Sequence, residues 1–341
     1  MATTPDTETI PGPTVRVYDH YVERVLYATL IGLICIVGTI GNCLVIIAVS
    51  MSRKLRTKTN VLVVNLSVAD LISCLNLPWM SIAVLSEHGW PLPDWICSLE
   101  GGVMILSIGC SLYTLGGIAV SRCCLITLSR ARYHDLFTTF NMTAMIIFFW
   151  LVPIAIIAIA VSFGSDFLGY SELYSMCIWD THHDNAKLFN IILMVVFYPI
   201  PLGAISVSSY KIWYFVRSHT RKIANATMMQ PKVANVSGGI GAGTTAVKKN
   251  HFSKRQMAVT KNLFFIIAMF LVLMSPYGIL LVLPGGEKLV PGFGVILLCN
   301  SCINPFIYGT RHPDFKIAFR QLLRCKTNFQ IARESSFRPE T

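Results

Sequence analysis

The sequence predicts an all-α membrane protein, a seven-transmembrane helix bundle with a short amphipathic helix after the seventh span. The first observation is composition: 54% of the 341 residues are hydrophobic and 13% are charged, whereas a soluble domain usually carries about a quarter charged residues. The second is the spacing of charges. Six long intervals lack Asp, Glu, Lys and Arg, and a seventh contains Asp70 alone. In chain order, these spans one to seven are 25–52, 59–86, 101–120, 136–165, 188–210, 262–286 and 289–310. Each can supply the roughly 20 residues with which a helix crosses a hydrocarbon core about 30 Å thick.

The net charge of +11 is distributed asymmetrically along the chain. If the N-terminus lies outside, four basic and twelve acidic residues fall outside, while 24 basic and four acidic residues fall on the cytoplasmic side. Cytoplasmic loops of membrane proteins are enriched in Lys and Arg. The sequence therefore predicts a multi-pass plasma-membrane protein with an extracellular N-terminus, whose basic loops face the lipid bilayer rather than nucleic acid.

The spans also predict the organisation of the chain. We expect an extracellular tail over 1–24, the helical domain over 25–310 with a flexible cytoplasmic loop over 217–256, a membrane-surface helix over 311–325 and a cytoplasmic tail over 326–341. The surface helix is indicated by HPDFKIAFRQLLRC, where apolar and basic side chains recur at helical spacing. Cys325 at its end is a candidate acylation site, with a free thiol as the alternative.

Two of the eleven cysteines lie outside in this topology. Cys97 opens span three and Cys177 lies between spans four and five, whereas the other nine lie in spans or on the cytoplasmic side, where thiols ordinarily stay reduced. An oxidising compartment favours a disulfide between them, which would tie the loop across the extracellular mouth of the bundle. Two unrelated free thiols are the alternative.

Several short motifs follow one another along the spans: Gly41-Asn42, Asn65-Leu-Ser-Val-Ala-Asp70, Trp90 before Cys97, Arg122, Pro276, and Asn304-Pro305-Phe-Ile-Tyr308 followed by Phe315. In order and spacing, from about Val25 to Cys325, they resemble the rhodopsin-like (class A) G protein-coupled receptors. Residues 132–137 and the triplet around Arg122 are similar to the branch with melatonin receptors, a medium-chain fatty acid receptor and insect orphan receptors. The resemblance implies a receptor, not an enzyme, that passes an extracellular ligand signal to a heterotrimeric G protein.

The resemblance assigns Asp70 to a sodium site. In this class the span-two carboxylate binds Na⁺ in the inactive state, and the matching hydroxyl and amide groups here are Ser111, Asn300, Ser301 and Asn304. A hard cation needs several oxygen ligands, which these side chains and water can supply. The alternative is a hydrogen-bonded network around a protonated Asp70 without an ion. No other cofactor is expected.

Arg122 resembles the arginine with which this class holds its inactive state and receives the G protein. Its usual neighbours are altered, because Ser121 and Cys123 flank it and Gln256 stands where span six usually has a carboxylate. Hydrogen bonds to neutral groups are weaker than charge-assisted ones, so we expect raised agonist-independent signalling. The alternative is that Arg122 extends to lipid phosphate. The resemblance also implies activation roles for Pro276, Tyr308 and, one residue out of register, Tyr210.

The resemblance places a ligand pocket in the extracellular half of the bundle. Its candidate residues are Glu100, Met104, Ile105, Ile108, Met274, Tyr277, Leu281, Gly294 and Leu298. Met104 stands where biogenic-amine receptors carry an aspartate, so an amine held at that position is disfavoured. Leu298 replaces the lysine that binds retinal, which excludes a Schiff base. The mainly apolar set predicts a small or lipophilic ligand, and ordinary helix packing is the alternative for each side chain.

Other functions remain as alternatives to a signalling receptor. A seven-span channel or transporter needs a continuous polar pathway, but charge within the spans is confined to Asp70, with Arg122 at the edge. An intramembrane hydrolase needs paired carboxylates or a metal-ligand set at membrane depth, where this sequence has one carboxylate. A receptor-like protein that does not signal is the third alternative.

Overall fold

The computed structural model describes residues 17–18, 20–228, 269, 272–280 and 285–324, with the backbone alone at 219, 220 and 222–228. Among these residues, six stretches are long and apolar enough to cross a membrane: Tyr21–Met51, Lys58–Leu85, Asp94–Thr127, Thr139–Ser162, Ala186–Ser218 and Glu287–Arg311. They are spans one to five and span seven. The described part of span six is the helical segment 272–280. Span one begins four residues before the predicted start of the helical domain.

Spans five and seven are each built from two helices. Span five consists of Ala186–Phe197 and Pro199–Met228, and span seven of Val290–Leu298 and Asn300–Arg311. Pro199 and Pro201 follow Tyr198 and lack a backbone N–H, so two helical hydrogen bonds are missing there, which explains the break.

The second helix of span five is longer than the sequence analysis predicts. It ends at Met228, so the prediction of a flexible loop is wrong for residues 217–228. This stretch contains neither glycine nor proline and can therefore continue the helix. Residues 229–256 of the predicted loop lie outside the described part of the chain.

Hydroxyl side chains mark the starts of three helices. In each case the oxygen accepts a hydrogen bond from the backbone N–H three residues further on, which satisfies a donor that the first helical turn leaves unpaired. These caps are Thr57 before Lys58–Leu85, Ser129 before Arg130–Leu136 and Thr138 before Thr139–Ser162. We call Arg130–Leu136, which connects spans three and four, the loop helix.

Span three lies at the centre of the bundle. In its most apolar stretch 72% of the residues are buried, against 22% in span four, and it packs against spans two, four and five. Two glycines permit the close packing, because a Cβ at Gly109 would lie 2.7 Å from the Phe197 ring and a Cβ at Gly117 would lie 2.7 Å from the Phe149 ring. Span three therefore carries side chains through the core to both ends of the bundle.

A short antiparallel hairpin covers one end of the bundle. Its strands are Leu168–Ser171 and Met176–Trp179, and the predicted disulfide between Cys97 and Cys177 is present and joins the second strand to span three. Gly101 allows this approach, since a Cβ there would lie 3.0 Å from the carbonyl oxygen of Ile178. We call this the outer end and the opposite end the inner end, after the orientation that the charge distribution predicts.

The residues before span one also pack on the outer end. The backbone N–H of Val17 donates to the carbonyl of Leu173 at 3.1 Å, in the turn of the hairpin. Tyr18 is buried, and the Arg24 guanidinium lies 5.0 Å from the centre of its ring. Burial raises the pKa of the Tyr18 hydroxyl above its ordinary value, so this group stays neutral. Val17, Tyr18 and the hairpin together cover the outer end of the bundle.

The predicted surface helix is present as Pro313–Leu323 at the inner end. Phe315 is buried and stacks on Tyr308 with 5.4 Å between ring centres. The Asp314 carboxylate forms an ion pair with the Lys54 ammonium group, with 2.7 Å between Oδ1 and Nζ, which connects the helix to the turn after span one. The helix therefore packs its apolar face on spans one and seven.

Candidate functional site

An apolar cavity of about 110 Å³, the outer cavity, lies beneath the hairpin. Five transmembrane spans, the segment 272–280 and the second hairpin strand contribute to its wall. The lining residues are Ile31, Met80, Gly101, Met104, Ile105, Ile108, Leu112, Met176, Ile178, Trp179, Leu193, Phe197, Tyr198, Tyr277, Gly294, Val295, Leu297 and Leu298. A concave apolar site with few polar groups is typical of small-molecule binding.

Most of the predicted pocket residues line this cavity. They are Met104, Ile105, Ile108, Tyr277, Gly294 and Leu298. Glu100 is buried beside the cavity and does not line it, and Leu281 lies outside the described residues.

Met274 is a correction to the predicted pocket. Its side chain is buried in the core and does not line the cavity. Met274 lies almost one helical turn before Tyr277, which does line the cavity, so the methionine is a turn deeper. Its backbone carbonyl instead accepts a hydrogen bond from the Tyr198 hydroxyl at 3.0 Å. Gly278 leaves room for the Tyr198 ring, which occupies the place where a Cβ would stand.

Sequence reasoning missed the hairpin and span-five parts of the cavity wall. Met176, Ile178 and Trp179 flank or follow Cys177, so the predicted disulfide was a signal that could have placed them over the mouth. Leu193, Phe197 and Tyr198 carry no comparable motif. Their inward direction follows from the packing of span five on span three.

The structure brings together the polar residues that were predicted to form a sodium site. Asp70 is fully buried; its Oδ1 accepts from the Ser111 hydroxyl at 2.7 Å and its Oδ2 from the Asn304 amide at 3.0 Å. The same amide donates to the carbonyl of Asn300 at 3.1 Å, and Ser301 is buried on the same helix. The oxygen set fits a hard cation, and occupancy by Na⁺ stays a prediction.

A cluster of three buried hydroxyl groups lies at the inner end. The Thr59 hydroxyl lies 3.1 Å from that of Ser121 and 3.2 Å from that of Tyr133, and the last two lie 3.3 Å apart. These three residues, the hydroxyl triad, join spans two and three to the loop helix. The Ser121 hydroxyl therefore bonds to Thr59 and Tyr133, and the Arg122 side chain makes no hydrogen bond or ion pair with another described residue.

A second cavity, the inner cavity, opens at this end and has a volume of about 630 Å³. Arg122, Tyr133 and Tyr308 line it. Its rim is basic, with Asp314 as the acidic residue among the lining positions. The basic lining residues are Lys54, Arg56, Lys58, Arg122, Arg130 and Arg311. This surface is suited to an acidic partner.

The remaining predicted activation residues fall in different places. Pro276 lies within the helical segment 272–280, while Gln256 and Cys325 lie outside the described residues. Tyr210 is 64% exposed and its ring packs beside Trp213 and Tyr214, so the structure does not bring it to the inner cavity. A shift of one residue turns a side chain by about 100° around a helix, and the buried neighbour at the inward position is Ser209.

Comparison with known proteins agrees with this architecture. The family model described as seven-transmembrane receptor (rhodopsin family) matches residues 41–308. The chain is 23% identical to the dog (Canis lupus familiaris) histamine H2 receptor, covering 92% of this chain and 84% of the receptor. It is 26% identical to the chicken (Gallus gallus) melatonin receptor type 1C, with the same coverage of 92% and 84%.

The crystal structure of squid rhodopsin has a similar fold, with a TM-score of 0.70 at 20% identity over 92% of this chain and 91% of the rhodopsin chain. This similarity supports a bundle of seven transmembrane helices. The chain thus belongs to the rhodopsin family of seven-transmembrane receptors, which are G protein-coupled receptors.

Proposed function

We propose that this receptor lies in the plasma membrane with its N-terminus extracellular, binds a small lipophilic ligand in the outer cavity and activates a heterotrimeric G protein at the inner cavity. The observation that carries the proposal is the presence of two cavities at opposite ends of one bundle, both lined by span three. The buried Asp70 network joins spans two, three and seven between them. Such a receptor acts by shifting the populations of two conformations.

The charge of each end supports this orientation. The inner cavity has a basic rim, which attracts acidic surfaces of a G protein and anionic lipid. The outer end carries the acidic loop residues Asp166, Glu172, Asp180 and Asp184. Basic residues on the cytoplasmic side are the ordinary arrangement in membrane proteins.

We further propose that the receptor signals without an agonist more than usual, on the basis of the contacts that Ser121 and Arg122 make at the inner end. The Ser121 hydroxyl bonds to the other two members of the hydroxyl triad. The described residues provide no carboxylate partner for Arg122. An arginine without a charge-assisted partner is less firmly held. Less free energy is then needed to reorient its side chain within the inner cavity, which it already lines.

The test is agonist-independent dissociation of each G protein class in cells that express the receptor. We expect dissociation with at least one class, and loss of this activity in Arg122→Ala at matched surface level. The control is Arg132→Ala, which removes an exposed arginine outside the lining of the inner cavity and should retain the activity. A wild-type receptor that is silent with every G protein would contradict raised basal signalling.

A further inference from the structure

Tyr198 stands at the break between the two helices of span five. Its side chain is half-buried and forms part of the wall of the outer cavity. The residue belongs to neither helix, since Ala186–Phe197 ends before it and Pro199–Met228 begins after it. Its φ of −102° departs from the α-helical value of about −63°. The break therefore helps to set the direction in which this side chain leaves span five.

The Tyr198 side chain reaches the backbone of span six. Its hydroxyl donates to the carbonyl oxygen of Met274 at 3.0 Å. In a regular α-helix this carbonyl accepts from the N–H four residues further on, which is that of Gly278. The tyrosine also lies against Gly278, because a Cβ there would stand 2.6 Å from the Tyr198 hydroxyl oxygen. Tyr198 therefore contacts both ends of one helical turn of span six.

The turn that Tyr198 contacts contains Pro276. Proline has no backbone N–H, so the carbonyl of Val272, four residues earlier, receives no helical hydrogen bond from position 276. Helices bend sharply at such positions more often than elsewhere. The Tyr198 hydroxyl adds a bond from another span to this weakened turn. Loss of that bond would leave the turn less restrained.

A second tyrosine hydroxyl connects span three to span five. The Tyr113 hydroxyl donates to the carbonyl of Val196, two residues before Tyr198, at 2.9 Å. Leu112, next to Tyr113, lines the outer cavity, and so do Phe197 and Tyr198. Two bonds between a tyrosine and a backbone carbonyl thus run beside the outer cavity, one from span three to span five and one from span five to span six.

The size of the outer cavity makes its wall sensitive to occupancy. An apolar cavity of about 150 Å³ holds one benzene molecule, whereas the outer cavity measures about 110 Å³. A ligand with one aromatic ring therefore needs more room than the cavity offers, and part of the wall must move. A hydrogen bond weakens steeply when its distance and angle depart from their preferred values. Movement of the Tyr198 ring would therefore break its bond to span six.

We propose that Tyr198 couples the outer cavity to span six. A group that fills the cavity displaces the Tyr198 ring, breaks the hydroxyl bond to the Met274 carbonyl and releases the turn around Pro276. The inference rests on the proposed function and deepens it, because it names the residue through which occupancy of the outer cavity shifts the conformation of span six. The ring is the surface that the ligand meets, and the hydroxyl is the restraint.

The first experiment measures amide hydrogen exchange over residues 272–280 in the purified full-length receptor, without a G protein and without a ligand. Tyr198→Phe keeps the ring and removes the hydroxyl, so it should accelerate exchange in this segment by about fivefold. Tyr214→Phe removes an exposed hydroxyl from the same span and is the control, which should leave the exchange rate unchanged.

A second pair of variants imitates occupancy of the cavity. Ile108→Phe places an aromatic ring in the outer cavity from span three. It should accelerate exchange over 272–280 in the wild-type background and have little further effect in Tyr198→Phe, where the bond is already lost. Leu99→Phe adds the same ring at an exposed position of span three and is the control. A merely structural hydroxyl would leave the effect of Ile108→Phe equal in both backgrounds.

Gly278→Ala displaces the ring independently of the cavity, since the new Cβ would occupy its place. It should accelerate exchange over 272–280, although alanine otherwise stabilises a helix relative to glycine. The control is Gly203→Ala in span five, where a Cβ would meet open space.

Basal G protein dissociation is the readout for signalling. Tyr198→Phe should raise it by up to about fivefold at matched surface level. A receptor that is silent with every G protein but shows the expected exchange pattern would contradict the proposed coupling and still support the connection between the cavity and span six.

Three results would overturn the inference. The first is equal exchange over 272–280 in wild type and Tyr198→Phe. The second is an effect of Ile108→Phe that is the same with and without the Tyr198 hydroxyl. The third is exchange in Gly278→Ala that is unchanged or slower than in wild type.

Discussion

Individual side chains in the core of this receptor connect spans that are distant in sequence. Asp70 is bonded by groups from spans three and seven, which are distant in sequence, so a change at this one carboxylate affects the packing of both spans. The Ser111 hydroxyl and the Asn304 amide donate to the carboxylate, whose oxygens remain ligands that a cation can share. This arrangement leads to a prediction about sodium.

Sodium should stabilise the wild-type receptor, and Asp70→Asn should abolish the effect because an amide cannot supply the anionic ligand. With Na⁺ at ten times its Kd, the stabilisation should be about 1.4 kcal/mol. The measurement is Tm of the purified receptor in NaCl and in choline chloride at equal ionic strength. Asp184→Asn, an exposed acid of the same charge, serves as the control. Retention of sodium sensitivity by Asp70→Asn would refute the ion site.

Ser121 is the second residue whose substitution is informative. Ser121→Asp places a carboxylate next to Arg122, and a charge-assisted bond exceeds a neutral one by about 1 kcal/mol, or about fivefold in population. We expect a corresponding fall in basal G protein dissociation at matched surface level. Ser121→Asn, which remains neutral, is the control and should not lower it. An unchanged or higher basal activity in Ser121→Asp would argue against the weak hold on Arg122.

Among the secondary structure elements, the loop helix Arg130–Leu136 depends on contacts made by one residue. Tyr133 is buried, stacks on Phe137 at 4.9 Å and bonds to the other two members of the hydroxyl triad. An isolated helix of seven residues has little stability of its own. Its position beside the inner cavity therefore depends on these tertiary contacts.

Tyr133→Phe keeps the stacked ring and removes the hydroxyl group. The loss should cost about 1 kcal/mol per hydrogen bond, so amide hydrogen exchange in residues 130–136 should accelerate by about fivefold or more. Exchange mass spectrometry of the purified receptor measures this. Tyr210→Phe removes an exposed hydroxyl and is the control. Equal protection of the loop helix in wild type and Tyr133→Phe would mean that the triad does not anchor it.

Across the whole molecule, the disulfide links the outer cover to the central span. Cys97 and Cys177 are 80 residues apart in sequence, and the bond holds the hairpin over the outer cavity, where Ile178 and Trp179 form part of the wall. Cross-links that close long loops restrict the unfolded chain as well as the folded one. Surface delivery and ligand binding should both depend on this bond.

Cys97→Ala should lower the stability of the receptor by about 2 to 5 kcal/mol and reduce its surface level. Cys177→Ala and the double variant should behave alike, because one bond is lost in each case. Surface antibody labelling and Tm of the purified receptor measure these effects, with Cys124→Ala, a free thiol, as the control. Normal surface level and unchanged stability of Cys97→Ala would show that the disulfide is not needed for the folded structure.

Much of this receptor follows from local patterns. Uncharged intervals predict the spans, because a helix must satisfy its backbone within hydrocarbon, and the two outside cysteines predict the disulfide. The family resemblance of the motifs implies that Asp70, Ser111 and Asn304 meet and that Met104 and Tyr277 share a pocket. Element ends are less well determined, as the extension of span five to Met228 shows, since no breaking residue marks the predicted boundary.

The class of fold, the expected orientation and the positions of the motifs can be predicted without tertiary contacts, because each depends on composition or on spacing along one helix. The tertiary structure alone decided that Ser121 bonds to Thr59 and Tyr133, that Met274 lies below the cavity and that Glu100 lacks a partner within the described residues. These outcomes depend on which helix faces which, and a rotation of one residue, about 100°, changes the neighbour of every side chain.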